Sequence, residues 1–241
     1  MFPGENEKLI TTSILAFILG VVAAALTGYY LDVGFDGLLS ALATLVAAFS
    51  GAWFAFYLNN KNKTEREKRK RMLALNLAIF TLMRQRNAAE NMWNSFHAHP
   101  TDSSLAFEMP ALKVNDYERI KQDLSSLAFL SAGKGVNVLL ELTVEEERFE
   151  QMMFAIRQKH QHTVDNVMPE MMAAGLTDRP VTIADIKAGI SDKAFVGALQ
   201  AAKQARDEVG AFRASAMEMH RKLRSLAKDL FPDGRFIDYE T

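Results

Sequence analysis

Two long apolar stretches open the chain, and a helical alternation of apolar and polar positions fills most of the remainder. Residues 9–31 run 23 positions without a charge and residues 38–58 another 21. About 20 apolar residues suffice to cross the hydrocarbon core of a bilayer. The pattern therefore predicts two membrane spans joined by a polar turn at residues 32–37, which holds Asp32, Gly34, Asp36 and Gly37 and forces the helices antiparallel. A cleaved signal peptide is the competing reading of the first stretch, with Ala23, Ala24 and Ala25 as its small-residue site. The leader weakens it, because Glu5 and Glu7 outnumber Lys8 and the apolar run is longer than usual.

After residue 58 the period becomes that of an amphipathic helix. Met72, Leu75, Ile79, Leu82, Arg86, Ala89, Trp93 and Phe96 recur at steps of three and four. With no breaker between, the second span is expected to continue as one helix to about Phe96. Its stripe faces either the core of its own domain or another subunit in a coiled coil. Residues 97–114 hold Pro100 and Pro110 and read as an irregular loop.

Asn115 or Asp116 is expected to cap a helix carrying Tyr117, Ile120, Leu124, Leu127 and Leu130. Gly133 and Gly135 end it. The next helix starts at Val136. Thr143 and Glu146 have capping-box spacing, so it either restarts there or bends. It proceeds through Phe149, Met152, Met153, Ile156, Val164 and Val167 to about Ala174, with a kink at Pro169. Thr182 and Asp185 cap a short helix. Asp192 opens the last long one, through Val196, Leu199, Val209, Phe212, Ala216, Met219, Leu223, Leu226 and Leu230, and Pro232, Asp233 and Gly234 stop it.

No strand alternation or internal repeat is visible. The expected fold is all-α: a two-helix transmembrane hairpin (residues 1–60), a basic juxtamembrane segment (61–71) and a cytoplasmic bundle of three long and one or two short helices (72–241).

Charge adds orientation. Across these three segments the net charge is −3, +5 and −3. Lys61, Lys63, Arg66, Lys68, Arg69, Lys70 and Arg71 follow the second span at once, whereas the turn at 32–37 has no basic residue. Basic flanks stay in the cytoplasm, which predicts a multi-pass protein of the bacterial inner membrane with both termini cytoplasmic. The seven cations are either a topology signal alone or contacts for lipid headgroups. Small residues recur every fourth position in both stretches, including Gly20, Ala24 and Gly28 in the first and Ala47, Gly51 and Ala55 in the second. Such faces let helices approach closely, within one hairpin or between subunits.

Little in the chain points to chemistry. There is no cysteine, which removes disulfides and thiolate sites. His160 and His162 lie two apart and diverge on a helix, and no pair has the i, i+4 spacing of a helical zinc site. Glu145, Glu146, Glu147 and Glu150 sit where a helix start favours acidic groups. Gly133, Lys134 and Gly135 lack the spacing of a phosphate loop. No cofactor, metal, nucleic-acid partner or small-molecule ligand is expected.

Four segments carry a resemblance: Trp53-Phe-Ala-Phe56, Asp123-Leu-Ser-Ser-Leu-Ala-Phe-Leu130, Asn137-Val-Leu-Leu-Glu-Leu142 and Glu147-Arg-Phe149. Together with the hairpin they resemble uncharacterised bacterial inner-membrane proteins built as two spans plus a helical cytoplasmic domain, over the chain up to about residue 165. The resemblance implies a bacterial membrane and no activity.

The chain is thus expected to be a membrane-anchored noncatalytic interaction or scaffold module, presenting a helical domain that binds a protein partner or itself. The loop 97–114 and the last long helix are the expected contact surfaces. One alternative is a membrane-perturbing effector that opens a leak on a signal, by analogy of layout with some anti-phage effectors. Another is an enzyme, whose mark is a buried cluster of carboxylates, histidines or arginines.

Overall fold

The computed structural model describes residues 19–20, 22–23, 35–109 and 116–238. The chain divides into two compact units, Met1–Lys68 and Arg69–Thr241. Every described element is helical, as expected for an all-α chain.

The first described helix, α1, is Phe35–His97. It begins inside the expected polar turn and contributes residues to both units. The leader, most of the first apolar stretch and the turn up to residue 34 lie outside the described residues, as do Ala24 and Gly28.

The expected multi-pass location in a bacterial inner membrane is corrected here. Among the described residues no helix is long and apolar enough to cross a membrane. On α1 the helix continues without a break from its apolar part into Asn59, Asn60 and the basic residues from Lys61. Gly20, Ala47, Gly51 and Ala55 are exposed, and among the described residues a Cβ on Gly20 or Gly51 would meet nothing within 4 Å.

The second unit is a helical bundle around one hydrophobic core. From α1 it takes the expected stripe: Leu75, Ile79, Leu82, Ala89 and Phe96 are buried, while Met72 and Trp93 are partly so. The stripe is spent on the core of its own unit. Its partners are α3 (Val136–His162) and α6 (Asp192–Leu230).

Paired contacts fix the directions. Glu141 with Lys222, Glu145 with Ser215, Gln151 with Glu208 and His162 with Ala194 descend on one helix as they climb the other, so α3 and α6 are antiparallel. The Phe149 and Phe212 rings meet at 5.3 Å in the middle.

Several local expectations change. The loop after α1 contains a short helix, α2 (Asp102–Phe107), started by a capping box between Thr101 and Ser104. The helix expected over Tyr117 to Leu130 is instead two 3-10 segments, Asp116–Arg119 and Leu124–Ala132. Asp123 caps the second by accepting from Ser126 N–H, and Ser126 and Ser131 hydroxyls donate to carbonyls three residues back. These local bonds compete with the α pattern. Leu124, Leu127 and Leu130, three apart, line up on a three-residue turn, and the last two are buried.

Thr143 does not restart α3: its hydroxyl donates to the Leu139 carbonyl within a continuous helix. A π turn, Thr163–Val167, precedes the short α4, Met168–Ala173. Pro169 has no N–H to give the preceding turn, and the chain widens there, with Met168 N–H reaching Thr163 O. Gly175, at φ +65°, ends α4, with Leu176 N–H bonded to Met171 O and Gly175 N–H to Met172 O. Thr182 and Asp185 form the expected box at α5 (Ile183–Gly189).

Candidate functional site

The loop 97–109 and α6, the two expected contact surfaces, are brought together by Arg206. It sits on α6 among Ala202, Ala205 and Val209, all fully buried, so its guanidinium emerges at the edge of the core. Nη1 donates to Asp102 at 2.7 Å, and Nη2 donates to the carbonyls of His99 at 2.7 Å and Thr101 at 3.0 Å. Three acceptors from one short loop converge on one planar group, a geometry that fits guanidinium and not ammonium. Below the clamp Leu105 and Ala106 are buried, and the Phe107 ring stacks on Phe195 at 5.0 Å.

Beside the clamp lies a cavity of about 220 Å3 lined by Trp93, Phe96, His97, Pro100 and Arg206. Trp93 is its rigid wall. His97 lies 5.9 Å from its ring on one side, and the Arg213 guanidinium covers it at 5.4 Å. Arg213 is itself fixed by Glu90 at 2.7 Å. Gly210 lets α6 come this close, since a Cβ there would stand 3.2 Å from Trp93 Cζ3.

A polar node joins α1, α3 and the segment between them. Gln85, fully buried, donates through Nε2 to Ile120 O at 2.9 Å and to Glu146 Oε2 at 2.7 Å. Gln122 donates to Ala78 O at 3.2 Å. Gln85 Oε1, Gln122 Oε1 and Glu146 Oε1 are buried without a hydrogen-bond partner. Burial pushes the Glu146 carboxyl above its ordinary range, and the bond from Gln85 offsets part of that. Its chain neighbour Glu145, also buried, accepts from Ser215 at 2.6 Å and from Arg148 at 3.2 Å. The acidic run at 145–150 thus splits: two members are structural groups of the interior and Glu147 and Glu150 are exposed. Burial also lowers the Lys159 ammonium below its ordinary range.

No family model, curated protein or solved structure matches this chain.

Of the seven expected headgroup contacts, Lys61, Lys63, Arg66 and Lys68 belong to the first unit and Arg69, Lys70 and Arg71 to the second, and all are exposed. The Arg71 guanidinium lies over the Phe129 ring at 5.5 Å, an intramolecular use of one of them. His162 is fixed by Ala194 O and Asn166, and among the described residues no group of three His, Asp or Glu side chains is placed to hold a metal ion.

Arg206, Gln85 and His220 were not singled out by the sequence. Their signal is visible in retrospect: each is polar at or beside a position where the helical period calls for an apolar residue.

Proposed function

We propose that the chain is a noncatalytic interaction module whose helical bundle receives a protein partner in the cleft between loop 97–109 and α6. The observation that carries this is the Arg206 clamp. A loop held by three hydrogen bonds from one side chain presents a pre-formed surface, so a partner need not order it on binding. The cavity beside it is apolar, walled by Trp93 and Phe96, and of a size for one large side chain. Buried anchors of that kind, ringed by arginine and aromatic groups, dominate protein interfaces.

Photo-crosslinking from position 97 or 100 tests the reading. A discrete adduct is expected that disappears with Trp93→Ala in a folded variant. An adduct pattern indifferent to Trp93→Ala counts against it.

Self-association is the second reading, and a separate surface favours it. Leu73, Leu77 and Phe80 stand 59, 55 and 47% exposed along one face of α1, spaced i, i+4, i+7. Val136, Leu140 and Val144 form a similar exposed row on α3. Contiguous apolar rows of this kind mark contact surfaces. Sedimentation of Leu77→Asp against the parent chain decides whether copies meet there.

A further inference from the structure

A second cavity, of about 350 Å3, lies where the last turns of α6 face the C-terminal tail. His220, Arg221, Arg224, Ser225 and Lys228 line it from the helix and Asp238 from the tail. Positions 217, 220, 221, 224, 225 and 228 form one helical face, so the cluster is fixed by rigid backbone. Among the described residues that line it, Arg221, Arg224 and Lys228 set three positive charges against the carboxylate of Asp238, and Arg221 also lies 3.9 Å from Glu218 on its own helix.

His220 is only 8% exposed, and its Nε2 has no hydrogen-bond partner. That nitrogen is closed off from solvent, so another part of His220 lines the cavity. Burial holds the imidazole below its ordinary range, and the positive charges of Arg224, Arg86 and Arg221 press in the same direction. An anion at this place offsets the second of these.

The tail is strapped down so that its carboxylate reaches the cluster. Phe231 is buried and Phe236 and Ile237 pack on the core. Asn76 on α1 grips the strap twice, donating to Arg235 O at 3.1 Å and accepting from Ile237 N–H at 3.3 Å. Asp238 then pairs with Arg224.

We propose that this cavity binds a small phosphate-class dianion, and that Asp238 holds the anion's place on Arg224 until the ligand displaces it. Guanidinium groups on a rigid face recognise phosphate oxygens in bidentate fashion. Lys228 adds a flexible point charge, and His220, once protonated, adds a charge beside them. The volume lies at the low end of small-molecule sites and leaves room for atoms beyond the phosphoryl group.

The test titrates the full-length chain with inorganic phosphate and, separately, with glycerol phosphate at constant ionic strength. Calorimetry and the His220 ring resonance, assigned by its loss in His220→Gln, are followed together. Saturable one-to-one binding and a rise in the His220 pKa are expected. Tighter binding of the ester marks an extended ligand, and equal binding marks free phosphate. Arg221→Gln with Lys228→Gln, both at exposed positions, weakens binding about tenfold, and Asp238→Asn tightens it about tenfold. The proposal is overturned if neither probe saturates the parent chain or Asp238→Asn, or if the Arg221→Gln, Lys228→Gln chain binds as the parent does. Unchanged affinity in Asp238→Asn overturns the place-holding role.

Discussion

The imidazole of His162 fills the space that a side chain at Gly197 would need: a Cβ there would stand 2.5 Å from Cε1 and 2.7 Å from Nε2. The ring cannot easily withdraw. Its Nε2 lies 3.0 Å from Ala194 O, which only accepts, so Nε2 carries the proton, and Nδ1 then accepts from Asn166 Nδ2 at 3.3 Å. Gly197→Ala is expected to destabilise the bundle by about 1–3 kcal/mol, the usual cost of overpacking. Urea unfolding reads this directly. His162→Ala in the same chain should return part of the loss, since neighbours of this kind are coupled.

Arg206→Ala should release the loop while leaving the bundle folded. The side chain is 22% exposed and Asp102 39%, so screening limits the pair, and a loss of about 1–2 kcal/mol is expected. The sharper readout is amide exchange. Residues 101–109 should exchange faster while the α3 and α6 amides keep their protection. Arg206→Lys should behave nearly as Ala, because an ammonium cannot serve three acceptors spread around a plane.

Glu146 gives a pH dependence of definite sign. Its carboxyl titrates above the ordinary 4.5, so the folded chain keeps the proton to higher pH than the unfolded one. The stability it contributes is complete below 4.5 and is lost as pH rises through the folded value. Glu146→Gln keeps an acceptor for Gln85 and removes the charge. It should raise stability by about 0.5–1 kcal/mol at pH 7 and bring no gain at pH 4, as measured by thermal unfolding at both.

His220 acts at the other end of the scale. Burial depresses it below 6.5, so the unfolded chain protonates first on acidification. Its contribution is intact above 6.5 and declines as pH falls toward the folded value. His220→Gln should flatten the stability profile of the parent chain as pH falls below 6.5, and an unaltered slope would assign that decline to other groups.

The long helices were legible because each repeats one apolar period over many turns. The stripe from Met72 to Phe96 and the face of α6 through Val209, Phe212, Ala216 and Leu223 are buried as the spacing requires. Where a local polar contact outweighs the period, the reading slips. Asp123 and its serines turn an expected α-helix into 3-10 turns, and Ser104 organises a helix inside an expected loop. Candidate-site residues were the least legible: Arg206, His220 and Asp238 lie 14 to 32 positions apart, and only the packing of the tail and loop against α6 makes them neighbours of anything reactive.

The π turn at Thr163–Val167 resets the phase of the helix that carries it. Each residue added to a turn rotates everything beyond it by about 100°, and Met168 N–H reaching Thr163 O marks such an addition. Val164 is 44% exposed although the spacing places it inward, whereas Val167, on the same expected face, is 1% exposed. A chain shortened by one residue within 163–167 would regain an unbroken α ladder, yet would point Val167 and Met171 at solvent and swing the Glu170 carboxylate away from Ser191, which it now binds through both N–H and hydroxyl. The one irregular turn is thus what lets two straight rods share a single interior.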